Sequence, residues 1–371
     1  MLIGAGARNQ AGGLAASLAG AGATVLLVAD PGLESTGALA ALEGVLREAG
    51  LAVERFTDLK SDPTLAQADA AASLARRSGA RAVVALGGGS ALDLGKAVAA
   101  VAGADAPAIT YALCAAPLPA GRLKVLCLPT TAGTGSEATR VSILSAPDGA
   151  KLWFWGEELR ADGVVLDPEL TATLPPGLTA ATGLDALVHA VEAATNRNVT
   201  PGNDVFAHAA IALIAGHLET AVREPGNLMA REALLRGAAL AGTAIDNAGT
   251  AMAHALGHAM ASLVPMHHGR AVSLAMRASL PFVVADDADG RFAACAAAMG
   301  VEPSAAGFIA AFEGLVRGTG LDLGLGPLAV VTPERLAAQV ARPENMPMVR
   351  STAREVGEGD LLALAGAVLK A

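Results

Sequence analysis

Over its first 170 residues the chain alternates short apolar runs with Ala-rich stretches of helical length, and beyond that point strand signals nearly vanish. Residues 24–30, 51–56, 82–86 and 124–128 read as buried strands, and residues 36–49, 64–77 and 90–102 as the helices between them. Such alternation implies a doubly wound, mostly parallel, Rossmann-like sheet that binds ligands at the carboxyl ends of its strands. From Pro176 onward, Ala/Leu-rich segments of helical period follow one another with short Gly, Pro and Asn breaks. A chain of 371 residues exceeds what one hydrophobic core usually serves. The sequence therefore predicts an α/β N-terminal domain over 1–170 and an all-α C-terminal domain over 171–371.

Composition narrows the partners. A net charge of −9 argues against a nucleic-acid partner, because binding a phosphate backbone needs a basic surface. Aromatics at 3% leave few platforms for stacking bases. The 53% hydrophobic content comes largely from Ala and is repeatedly interrupted, so no membrane span is expected. The start has no basic segment followed by an apolar one, and Cys114, Cys127 and Cys295 form no pair pattern. Both observations lead to the expectation of a cytoplasmic protein with buried thiols.

Five of the seven histidines fall in two short windows. In the first, Asp185 and His189 stand at i and i+4, on one face of a helix. In the second, His254 and His258 share a face in the same way, and Pro265 and Gly269 mark a bend carrying His267 and His268. An Asp-x3-His pair by itself is more often a cap or a satisfied core histidine. Here the neighbours are Ala, Leu, Gly, Val and Met, so these polar groups need partners. One carboxylate and three imidazoles can hold a divalent metal with a position open for Lewis-acid chemistry. Spacing leaves open whether His254 or His258 ligates.

Two further elements suit a dinucleotide. The third strand runs into Gly87-Gly88-Gly89-Ser90 and then a helix, which lets backbone N–H groups approach a pyrophosphate. Ser90 reads as the helix N-cap, and Asp93 lies in the first turn, where a carboxylate favours the dipole. A glycine triplet alone is equally a tight turn, and this one departs from the GxGxxG fingerprint. Thr130, Thr131, Thr134 and Ser136 crowd hydroxyls and N–H groups at the end of the next strand. Asp30, ending the first clear strand, is placed to bond a ribose 2′-hydroxyl and to favour NAD over NADP.

Taken together, the segments GGGSALDLGK from Gly87, LPTTAGTGSEAT from Leu128, LDPELTATLPPGLTAATGLDALVHAVEA from Leu166 and AHALGHAMASLVPMHHG from Ala253 resemble the iron-containing (group III) alcohol dehydrogenase family. That family lies in the superfamily that also holds dehydroquinate synthase. The resemblance covers nearly the whole chain. It implies that Asp185, His189, His254 and His268 are the ligands of Fe²⁺, with Zn²⁺ as the other option, and that His258 lies near the nicotinamide as the proton-transfer residue. It also implies that Gly87, Gly88, Gly89, Ser90 and Asp93 face the pyrophosphate and that Asp30 faces the adenosine ribose. Thr130, Thr131, Thr134 and Ser136 then match the second cofactor loop, and Lys151 a lysine beside the nicotinamide ribose.

The function implied is a metal-dependent NAD(H) oxidoreductase that interconverts a small alcohol and its aldehyde or ketone, the metal holding the substrate oxygen. A homodimer is expected. The alternatives are a maleylacetate reductase-like enzyme for a small oxo acid and a dehydroquinate synthase-type lyase. The lyase needs several basic residues for its substrate, and the metal windows carry no Lys. Two departures from the family stand out. The sequence begins close to the family's first Gly-containing turn, which implies a shortened N-terminal strand. The last ligand's usual Pro-His-Gly is His267-His268-Gly269 here, so His267 competes with the better-spaced His268.

Overall fold

The computed structural model describes residues 1–59, 61–287 and 289–370. It divides into two compact units, residues 1–131 with 136–174, and residues 132–135 with 175–371.

The first unit is built on β1 (Leu2–Ile3), β2 (Thr24–Ala29), β3 (Ala52–Phe56), β4 (Ala82–Gly87), β5 (Lys124–Pro129), β6 (Val141–Ser145), β7 (Lys151–Trp155) and β8 (Gly163–Leu166). Among the described residues, six strands form one parallel sheet in the order β1-β8-β5-β4-β2-β3. Its helices are α1 (Ala11–Ala19), α2 (Ala38–Glu48), α3 (Leu65–Arg77) and α4 (Gly89–Val101). Alternation along the strands divides the core in two. Val25, Leu27 and Ala29 pack with Val84 and Leu86 against α1 and α2, while Leu26, Val28, Val83 and Ala85 pack against α3 and α4. Both faces are covered, so the strands read as continuous apolar runs and the sheet is doubly wound. The antiparallel β6–β7 hairpin stands apart as a second small sheet, Val141 opposite Trp155 and Ser145 opposite Lys151. Sequence reading passed over it, although Pro147-Asp148-Gly149 between two apolar runs is a turn signal.

The second unit begins with α5 (Pro176–Thr195), α6 (Pro201–Arg223), α7 (Leu228–Ala248), α8 (Met252–Leu263) and α9 (His268–Val283), and further helices follow to the C-terminus. Helix α5 is buried along most of its length among α6, α7 and α9. Its centre, Gly-Leu-Asp-Ala-Leu-Val-His, is apolar all round apart from the two polar groups. Against expectation, α6 is long and apolar enough to cross a membrane by length and composition. Here it buries Ala207, Ile211, Ile214 and Leu218 against its neighbours. The cysteines also divide: Cys127 and Cys295 are buried, whereas Cys114, expected inside, is exposed.

Candidate metal centre and dinucleotide crevice

In the helical unit, α5 places Asp185 and His189 one turn apart on one face, and both are buried. Helix α8 brings His254 to the same point, its ring stacked on that of His189 with centroids 4.3 Å apart. One donor atom from each of Asp185, His189 and His254 lies within 4.8 Å of the others. His268, the first residue of α9, closes the group with Nε2 3.6 Å from Asp185 Oδ1, while His254 Nε2 stands 3.7 Å from the same oxygen. These separations are too long for hydrogen bonds. They match donors that share one ion, since two donors each about 2.1 Å from a tetrahedral centre stand roughly 3.4 Å apart. Of the two adjacent histidines, His268 is turned toward Asp185, and His267 is the exposed N-cap of α9. The His258 ring lies beside the group, 5.2 Å from His268 and 6.2 Å from His254 between centroids.

Asp185 Oδ1, His189 Nδ1 and His254 Nε2 are buried without a hydrogen-bond partner. Orphaned polar atoms in such a place are costly unless a ligand satisfies them, and the donor set suits Fe²⁺ or Zn²⁺. Burial alone would raise the Asp185 carboxyl, but His189, His268 and His254 hold it well below the usual carboxylate range. Burial, with the neighbouring rings, pushes His189 down to about 3. The His254 ring goes the other way. Against its burial, Glu192 and Asp185 raise it to about 9. With a carboxylate on either side of one imidazole, the cluster favours a positive charge at its centre.

Glu192 escaped the sequence reading. It lies on α5 three residues after His189 and accepts from His254 Nδ1 at 2.6 Å. The 185, 189, 192 spacing on one helix face was the available signal.

In the α/β unit the predicted cofactor residues gather at one place. Helices α2 and α4, which follow the adjacent strands β2 and β4, lie on opposite faces, so the two strand ends part and leave a crevice at a topological switch point. Asp30 follows β2, and Gly87 ends β4 and leads through Gly88 into Gly89 and Ser90 at the start of α4. At Gly87, whose φ is +150°, a Cβ would lie 2.7 Å from Ala91 Cβ and 3.3 Å from Asp30 Cβ. A Cβ at Gly88 would lie 3.3 Å from the Thr131 side chain. The Thr130 amide donates to the Gly87 carbonyl at 2.9 Å, which fastens the two strand-end loops together.

Ser90 is not the N-cap. Helix α4 starts one residue earlier, with Gly88 as a cap that has no side chain to bond the first N–H groups, and Ser90 Oγ accepts from the Asp62 amide at 3.3 Å. Asp30 Oδ1 accepts from the Gly32 amide at 2.8 Å, while the Asp30 side chain stays exposed. Asp93 is engaged on both oxygens, by the Ser136 hydroxyl at 2.5 Å and the Ile143 amide at 3.0 Å. Lys151 Nζ reaches Asp62 at 2.7 Å and Ser145 Oγ at 3.1 Å. The buried Lys96 ammonium donates to the Ser136 carbonyl at 2.7 Å, to Thr139 Oγ1 at 3.1 Å and to the Val141 carbonyl.

Thr134 falls in the segment that belongs to the helical unit. There Gly133 packs on Thr182 of α5, and its backbone bonds the His189 ring. Gly135, at φ +61°, lies so close to Gly242 of α7 that an added Cβ would stand 2.7 Å from Gly242 Cα.

A doubly wound sheet with a glycine-lined crevice, and a helical unit holding one carboxylate and three imidazoles, define a two-part class of nucleotide-fold and metal-type units. Residues 1–168 match the family model described as iron-containing alcohol dehydrogenase, and residues 179–357 the C-terminal model of the same family. The chain belongs to the iron-containing alcohol dehydrogenase family. It is 37% identical to long-chain-alcohol dehydrogenase 1 of Geobacillus thermodenitrificans (strain NG80-2) over 70% of this chain, a match that spans 65% of that protein. Among solved structures, 1,3-propanediol oxidoreductase superposes with a TM-score of 0.90 at 30% identity, covering 99% of this chain and 97% of the other. Sulfoacetaldehyde reductase from Bifidobacterium kashiwanohense, solved with NAD⁺, gives 0.89 at 26% identity, with 99% and 97% covered.

Proposed function

We propose that this protein is an NAD(H)-dependent oxidoreductase that interconverts a small alcohol and its aldehyde or ketone at a divalent metal held by Asp185, His189, His254 and His268. The observation that carries this reading is the set of buried donor atoms on Asp185, His189 and His254 that point at one another and have no other partner. Membership of the family and a relative solved with NAD⁺ support the cofactor. When bound, a nicotinamide supplies the hydride donor or acceptor, and the ion supplies Lewis acidity toward the substrate oxygen.

The chain's own residues do the rest. Helix α5 fixes two donors one turn apart, and the bend before α9 turns His268 toward them. His258, one ring away from His268, holds or moves the proton of the substrate hydroxyl. In the other unit, Gly87 to Ser90 offer uncapped N–H groups at the start of α4 to a pyrophosphate, and Asp30 stands where a ribose 2′-hydroxyl is bonded.

The test is absorbance of NADH with a panel of short alcohols and aldehydes, after reconstitution with Fe²⁺ or Zn²⁺ under anaerobic conditions. Turnover should require the ion, and His254→Ala should lose bound metal and turnover together. Wild-type rates in metal-stripped His254→Ala protein would sink the reading.

A further inference from the structure

The Glu192 carboxylate is engaged on both of its oxygens. Oε1 accepts from the Ala253 amide at 2.6 Å, and Oε2 accepts from the Ala251 amide at 2.8 Å and from His254 Nδ1 at 2.6 Å. The side chain is buried. Ala251 is the N-cap residue of α8, and no side chain of its own caps that helix. One carboxylate therefore binds the start of α8 and the ring of the second residue after it. In the neutral ring it also decides the tautomer: with Nδ1 donating to Glu192, Nε2 is the nitrogen left for a ligand, and this is the atom buried without a partner next to Asp185.

We propose that Glu192 is the positioning residue of the metal centre, setting ring orientation and tautomer of His254 through three accepted hydrogen bonds while ligating nothing itself. The proposal rests on the metal reading given above. A carboxylate behind a ligating histidine raises the basicity of that ligand, and its loss typically weakens metal binding by about 10–100-fold. An amide in its place cannot accept from both backbone donors and the ring together, since one of its two ends is itself a donor.

The experiment is Co²⁺ binding to the full-length protein, read by competition with a chromophoric chelator and by the visible d–d spectrum, with no turnover involved. Glu192→Gln should bind Co²⁺ at least 10-fold more weakly and with a shifted spectrum. Glu192→Asp, which keeps the charge but shortens the reach, should fall between it and wild type, and it serves in its place if Glu192→Gln does not fold. Leu256→Ala destabilises the same helix from its buried core side, and it should keep Co²⁺ affinity within about twofold. Wild-type affinity and spectrum in Glu192→Gln overturn the proposal. So does an equal loss in Leu256→Ala, which would reduce Glu192 to a helix cap. A wild-type protein that binds no Co²⁺ overturns the metal reading itself.

Discussion

Glu137 and Lys96 are buried in the same α/β unit with opposite consequences. Lys96 is surrounded by acceptors from Ser136, Thr139 and Val141, with Asp93 3.6 Å away, so its charge is satisfied. Burial pushes the Glu137 carboxyl up to about 7, and the Lys96 charge offsets only part of that. A carboxyl with a raised folded-state value favours the protonated form. Its stabilising contribution is full below about 4.5 and is lost as pH rises through 7. Glu137→Gln should therefore gain on wild type by about 2 kcal/mol between pH 5 and pH 8, measured by urea unfolding at both values. An unchanged difference across that range would refute the assignment. The metal residues were legible because a helix period puts Asp185 and His189 together by arithmetic. Glu192 was not, because its partners are a ring and two amides that lie far along the chain on another helix.

Among elements, the strands and helices of the doubly wound sheet were legible because burial on both faces writes each strand as an unbroken apolar run. The β6–β7 hairpin was hidden because Lys151-Leu-Trp-Phe-Trp shows no alternation of apolar and polar residues. The N-cap of α4 lies two residues before the expected Ser90, because Ser is the stronger capping residue in isolation and only the φ and ψ of Gly88 decide otherwise. The close approach of Gly135 to Gly242 is equally invisible in sequence, being a backbone contact between segments about a hundred residues apart. Gly242→Ala drives a methyl onto the Gly135 carbonyl, and the atoms it meets are all backbone of Gly135, with no flexible side chain to yield. We expect a loss of about 1–3 kcal/mol, measured as a fall in the urea midpoint with the slope unchanged.

At the level of the whole molecule, a metal that binds only the folded chain adds its binding free energy to stability. With free ion at 100 times the dissociation constant, the gain is about 2.7 kcal/mol. Chelation should lower the unfolding midpoint, and re-addition of Fe²⁺ or Zn²⁺ should restore it. Asp185→Asn should melt at the same temperature with and without chelator.

The backbone passes from the α/β unit to the helical unit after Thr131, returns after Gly135 and passes again after Leu174. Residues 132–135 are thus a short stitch of one unit carried on the thread of the other. No single cut separates two self-sufficient modules. Fragments 1–174 and 175–371, expressed together, should copurify, because the second lacks the segment that packs on Thr182 and Gly242. Fragment 175–371 alone should leave His189 without the backbone of Gly133.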